Sequence, residues 1–214
     1  MKRIIFATSN EGKMDEIRDI LHGMDLELLS LKDAGIDIDI KEDGNTFEEN
    51  AIIKSETVCK LTGEIVLADD SGLEVDYLDK APGIYSARFL GENTPYSEKN
   101  SYIIDKLKGI PYDKRSARFV CAIACSFPDG DTVTRTGILE GYIAEELSGS
   151  NGFGYDPIFY VPEYKCTTAD MHTTELKNQI SHRAKALKAI KEVLVKHIPK
   201  HNYQEIDNEG ADCK

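Results

Sequence analysis

Short apolar runs alternate along this chain with longer stretches whose apolar residues recur at helical spacing, and that succession predicts an α/β fold. Residues 3–8 (RIIFAT) read as a buried strand. After a short loop, MDEIRDILHGM sets Met14, Ile17, Ile20, Leu21 and Met24 at helical spacing. LELLSL and the alternating IDIDI then lead into EDGNTFEENAIIKSETVCKLTG. There Thr46 and Glu49 have capping-box spacing and Gly63 follows the last turn, so a second helix is expected. EIVLADDSG predicts a short apolar strand that ends in Asp69-Asp70 and a turn. LEVDYL alternates as a further strand, and the chain turns at Pro82-Gly83.

A helix around 97–108 separates this half from a hairpin made of RFVCAIACSF, the turn Pro128-Asp129-Gly130 and a strand through roughly 132–140. The hairpin is antiparallel, so the sheet is expected to be mixed. Residues 148–157 (SGSNGFGYDP) are too glycine-rich for regular structure, and IFYVP reads as a strand beyond them. In residues 174–198, Leu176, Ile180, Ala184, Leu187, Leu194 and Ile198 form one helical stripe, with a polar tail from Pro199. No repeat, low-complexity tract or linker interrupts the pattern.

Composition narrows the function more than the fold. The 214 residues, 41% of them hydrophobic, suffice for one α/β domain or two closely joined lobes. A net charge of −12 would repel a polyanion such as DNA, so long nucleic acid is not an expected partner, whereas a small phosphorylated ligand needs only a few local cations and N–H groups. The five cysteines lack paired CxxC spacing, which argues for reduced thiols rather than a disulfide framework or a zinc site. Cys121 and Cys125 share a strand face with Phe119, Ile123 and Phe127 and read as core. No signal peptide precedes the first strand and no apolar run approaches the roughly 18 residues of a membrane span, so a cytoplasmic protein without membrane partners is expected.

Four groups of residues could do chemistry. Thr8, Ser9, Asn10, Glu11, Gly12 and Lys13 stand where a strand hands over to a helix, whose free N–H groups attract phosphate. The segment is not a Walker A loop, since the first glycine of that motif is absent and Met14 follows the lysine, and it fits an ordinary capped loop equally well. Asp69 and Asp70, at a strand end, sit where open α/β sheets place ligands, and a divalent cation would relieve their mutual repulsion. A solvated Asp-Asp-Ser-Gly turn is the competing reading. Glu42 and Asp43 could add an acidic ligand. Phe153 and Tyr155 within NGFGYD could stack on a base, or simply anchor their loop. Lys177, His182 and Arg183 supply cations, but on one continuous helix His182 points away from the other two. The three converge only if the helix bends or restarts, and Ser181 could cap such a restart.

In their order, ATSNEGK, TFEENAIIKS, ADDSGLEVD, APGIYSAR, GFGYDPIF and KNQISHR resemble the inosine triphosphate pyrophosphatase family, over nearly the whole chain. The resemblance implies a homodimer with an elongated mixed sheet, flanked by helices, and an active-site cleft between two lobes. Residues 1–198 would form one such two-lobed domain, with 199–214 a polar tail outside it. It implies Mg²⁺-dependent hydrolysis of ITP, dITP and XTP to the monophosphate and pyrophosphate. Residues 8–13 would hold the triphosphate, and Asp70 would be metal ligand and proton acceptor with Asp69 its supporting acid. Ser71 would contact substrate, and Phe153, Gly154, Tyr155, Asp156, Lys177, His182 and Arg183 would complete the site. Relatives tend to carry paired glutamates where this chain has Lys41-Glu42, and Glu42 is the candidate second metal ligand. A nucleotide sensor that binds without hydrolysis, a pyrophosphatase for modified pyrimidine nucleotides, and a scaffold with an incidental acidic turn are the other readings.

Overall fold

The computed structural model describes residues 2–8, 10–171, 176 and 179–198. Its strands are β1 (Lys2–Phe6), β2 (Leu26–Ser30), β3 (Ile65–Val75), β4 (Ser116–Ser126), β5 (Thr132–Ile143), β6 (Phe159–Val161) and β7 (Cys166–Thr167). The helices are α1 (Glu11–Leu21), α2 (Phe47–Thr62), α3 (Tyr96–Lys106) and α4 (His182–His197). One seven-stranded sheet runs in the order β2-β1-β3-β4-β5-β6-β7. β1 is parallel to β2 and β3, and every later pairing is antiparallel, so the sheet is mixed as expected.

Local signals account for both ends of α2. Thr46 Oγ1 accepts the Glu49 N–H at 3.1 Å, while Glu49 reaches back to the Asn45 N–H, one residue before the cap. Gly63 closes α2 in the left-handed conformation, at φ 68°. Helices cover both sheet faces. On one, α1 and α4 bury Ile17, Leu187, Ile190 and Leu194 against Ile4, Phe6, Leu67 and Ile123. On the other, Ala51 and Phe47 of α2 pack on Val120, Ala122 and Ala124, whose small side chains let the helix lie close. Beyond the middle of β3, Leu73, Val75, Phe119, Ile143 and Phe159 gather with Ile103 of α3 into a further cluster.

One expected boundary is wrong in an informative way. ADDSG is not a strand end followed by a turn: β3 runs unbroken through Asp69, Asp70, Ser71 and Gly72 to Val75. Its partner β4 supplies the reason, because Asp69 to Gly72 lie opposite Ile123 to Val120 in a continuous antiparallel ladder that overrides the local turn preference. The parallel ladder with β1, however, stops at the pair Phe6 and Leu67. Asp69 and Asp70 therefore lie just beyond the carboxyl end of β1, where connections diverge to β2 on one side and β3 on the other, the crevice where open α/β sheets bind ligands.

Candidate functional site

The first wall of the site is the start of α1. Asn10 caps that helix by accepting the Lys13 N–H at 3.1 Å, and its own N–H donates to Thr8 Oγ1 at 3.1 Å. Thr8 thus supports the cap, Asn10 and Lys13 line the recess described below, and Glu11 is exposed in the first turn outside it. Phe153 packs beside Gly12, its ring 3.5 Å from where a Cβ would stand, an ordinary contact distance. Ser9 lies outside the described residues, as do Lys177 and the tail 199–214.

The pleat of β3 divides the two carboxylates between opposite faces of the sheet. Asp69 points to the α1–α4 side, where Lys13 Nζ is 2.9 Å away, Arg183 Nε 3.5 Å, and the Ser71 hydroxyl donates at 3.2 Å. Burial alone would raise its pKa, but Lys13, Arg183 and Lys54 outweigh it and hold the carboxyl well below the usual range. Asp70 points to the α2 side. Asn50 Nδ2 donates to it at 3.1 Å and Lys54 Nζ stands 3.5 Å away. Here burial wins, Glu42 adds repulsion, and the carboxyl is raised despite Lys54 and Asn50. Lys13 and Lys54 act on both acids, but the surroundings on the two faces of the sheet push their pKa values in opposite directions.

Glu42 takes part through Lys54, whose ammonium lies 3.1 Å from Glu42 and 3.5 Å from Asp70. Burial would depress that lysine, but Asp70, Asp69 and Glu42 raise it instead. Among the described residues no three His, Cys, Asp or Glu side chains cluster as metal ligands. Two carboxylates that already share a positive charge are nevertheless a fitting donor set for a hard divalent cation, which commonly takes one or two carboxylates and completes its shell with water and phosphate oxygens.

The opposite wall comes from α4 and the 153–156 loop. The helix restarts as the geometry required: Ser181 is its cap, accepting the Ala184 N–H at 3.1 Å, with His182 and Arg183 in its first turn. Gly137 of β5 lets this turn settle on the sheet, since a Cβ there would fall 2.1 Å from the His182 carbonyl oxygen. Arg183 is 2% exposed, pairs with Glu16 and Asp69, and donates to Ser71 Oγ at 3.3 Å. Burial disfavours its charge, but Asp69 and Glu16 more than restore it. His182 stacks on Phe119, centroids 4.9 Å apart. Phe153 is 38% exposed, with the Arg183 guanidinium 5.7 Å from its ring centroid. Asp156 accepts the Phe153 N–H at 2.8 Å and the Thr168 hydroxyl at 2.8 Å, so it shapes the loop. Gly154 and Tyr155 line the recess, but Tyr155 is buried and its hydroxyl donates to the Ser86 carbonyl at 2.8 Å. Of the two loop aromatics, Phe153 is the one presented for stacking.

These walls enclose a cavity of about 160 Å³. Its lining mixes the polar groups of Asn10, Lys13, Glu16 and Arg183 with the aromatic rings of Phe119, Tyr96, Phe153 and Tyr155. Glu16, Asn50, Lys54, Ser86 and Tyr96 belong to this site and were not singled out from the sequence. Asn50 and Lys54 left a readable signal: they stand four residues apart on the buried face of α2, between Ala51, Ser55 and Val58, where apolar residues are the default. Glu16, buried beside Ile17 in α1, is a similar case. Ser86 and Tyr96 left none.

A family model described as the Ham1 family matches residues 4–193. A dITP/XTP pyrophosphatase of Clostridium perfringens is 50% identical over 200 residues, which cover 91% of this chain and 98% of that protein. One from Bacillus subtilis is 47% identical over 194 residues, covering 91% and 98%. Among solved structures, the Staphylococcus aureus Ham1 protein superposes with a TM-score of 0.83 at 42% identity, over 92% of this chain and all (100%) of that one. Fold and sequence agree, and the chain belongs to the Ham1 family.

Proposed function

We propose that this protein hydrolyses dITP, ITP and XTP to the nucleoside monophosphate and pyrophosphate, and so clears deaminated purines from the nucleotide pool. The observation that carries the reading is the recess beside β3, which sets the capped start of α1, Lys13 and Arg183 beside the aromatic rings of Phe119 and Phe153, with Asp70, its pKa raised by burial, on the opposite face of the same strand. The similarity to proteins named dITP/XTP pyrophosphatase supports the substrate class. We read residues 1–198 as one two-lobed domain that acts as a homodimer in the cytoplasm, where its substrate pool lies.

In this reading the capped start of α1, Lys13 and Lys54 receive the triphosphate. Mg²⁺, when held by Asp70 and Glu42, supplies charge neutralisation on the phosphate oxygens. Asp70 takes the proton of a water that attacks the α-phosphorus in line. Pyrophosphate leaves against Lys13 and Lys54. Asp69 keeps Lys13 and Arg183 in place, and Ser71, which lines the recess and bonds both Asp69 and Arg183, contacts the substrate. Phe153 stacks on the base, and donors in the His182-Arg183 turn meet a 6-oxo group. Adenine, with a 6-amino group, would leave those donors unpaired.

The test is a nucleotide panel with Mg²⁺, assayed for monophosphate and pyrophosphate, and repeated with EDTA and with Asp70→Asn. Hydrolysis of dITP, ITP and XTP that fails in both repeats is expected. Equal kcat/KM for ITP and ATP, release of single phosphate, or full activity in Asp70→Asn would overturn the proposal.

A further inference from the structure

We infer that Lys99 and Asn100, in the first two turns of α3, are positioning residues that set the spacing between the two walls of the base recess. The inference rests on the proposed function for the identity of the ligand, and on geometry for the rest. One wall is the 3₁₀ segment Gly83–Arg88, which contributes Ser86 and Ala87; the other is the loop that contributes Phe153, Gly154 and Tyr155. Lys99 Nζ donates to the Ala87 carbonyl at 2.6 Å, and Asn100 Nδ2 donates to the Gly154 carbonyl at 3.0 Å. Consecutive residues of one helix therefore hold one wall each. A direct strut, the Tyr155 hydroxyl on the Ser86 carbonyl, joins the walls, and Tyr96 of the same helix packs edge-on against Tyr155 at 5.2 Å.

Neither residue has the environment of an ordinary core or surface group. Lys99 is 1% exposed, and among the described residues no carboxylate pairs with it; its ammonium lies 4.7 Å from the Tyr96 ring centroid and on the one carbonyl. Burying an ammonium in this way is unfavourable unless its bonds serve a purpose, and Leu or Met would fill the space without that cost. Asn100 is 2% exposed, and its Oδ1 finds no donor among the described residues, so its contribution lies in the N–H that holds Gly154. Such half-satisfied buried groups are uncommon and call for a specific explanation. Neither side chain lines the recess, which is why they act through Ala87 and Gly154 rather than on the ligand.

The proposed binding mode makes the idea testable, because IMP probes the base contacts and tripolyphosphate the phosphate contacts alone. Inhibition constants for both are measured on the Mg²⁺-loaded protein, with KM and kcat for ITP, in the wild type, Lys99→Met and Asn100→Leu. Both variants are expected to weaken IMP by roughly 3- to 10-fold, the range of one lost buried hydrogen bond. Tripolyphosphate should stay within about 2-fold, and KM for ITP should rise while kcat holds, since a base-end defect lowers binding rather than the chemical step. Equal weakening of both inhibitors, no weakening of IMP, or loss of the fold in both variants would overturn the inference and leave the two residues a purely structural role. If the wild type itself neither hydrolyses ITP nor binds IMP, the proposed function fails instead.

Discussion

Replacing either central aspartate by asparagine changes one charge in nearly the same place, yet the two variants should behave in opposite ways. Asp69 is 1% exposed between Lys13 and Arg183, and Arg183 is itself 2% exposed. Removing one member of a buried ion pair costs about 3–5 kcal/mol, because the survivor is left in low dielectric. In Asp69→Asn the new amide oxygen would still accept a hydrogen bond and Arg183 would still hold Glu16, so the lower end, about 3 kcal/mol, is expected. For a chain of this length that corresponds to a fall in Tm of roughly 6–12 °C. Asp70 is already disfavoured in its charged form by burial and by Glu42, and Lys54 keeps Glu42 as a partner when Asp70 is neutralised. Asp70→Asn should therefore shift Tm by no more than about 3 °C while lowering kcat by a factor of about 100 or more, the usual contribution of a general base. The assay is thermal unfolding in EDTA without nucleotide, beside steady-state ITP hydrolysis with Mg²⁺.

The pH dependence adds a sign. The folded-state pKa of Asp69 is depressed, so its stabilisation is present above the unfolded value of about 3.9 and is lost as pH falls through the folded value. The Tm gap between wild type and Asp69→Asn should accordingly be constant from pH 7 to about 5 and close only in stronger acid. Melting of Asp69→Asn within about 2 °C of wild type at neutral pH, or an equal fall in Asp70→Asn, would refute the division of roles read from the two faces of β3.

Gly137→Ala should cost both stability and activity, because the new methyl would meet the His182 carbonyl at 2.1 Å and the Ala186 amide nitrogen at 2.7 Å. Overpacking of this kind costs about 1–3 kcal/mol, and lifting the first turn of α4 should raise KM for ITP; an unchanged Tm and KM would show that the helix does not rest on β5 there. Burial pushes the Cys121 and Cys125 thiols up to about 12, so at pH 8 neither should be alkylated in the native protein. Peptide mass spectrometry after iodoacetamide treatment should find both labelled only in denaturant, and rapid native labelling would contradict the packed core around β4.

What could be read in the sequence, and what could not, divides along the range of the interactions involved. The capping box at Thr46 and Glu49, the glycine stop at Gly63 and the β4–β5 hairpin are written within a few residues, and each forms where expected. The restart of α4 at Ser181 was legible for a different reason: His182 could join the other cations only if the helix broke before it. Arg183 on Glu16 was not legible, because that pair spans 167 residues and exists only once α1 and α4 lie side by side on the same face. The turn expected at Asp-Asp-Ser-Gly failed because the choice between turn and strand was made by β4 rather than by the four residues themselves. That failure carries the chemistry with it. Two acids at a turn are neighbours that share one environment, and they need a third party to tell them apart. Two acids in a strand face opposite sides of a sheet, and the side chains already covering each side assign them different ionisation and different work. The long β3 is thus what would allow adjacent identical residues to serve, in the proposed reaction, one as an anchor for cations and the other as a base.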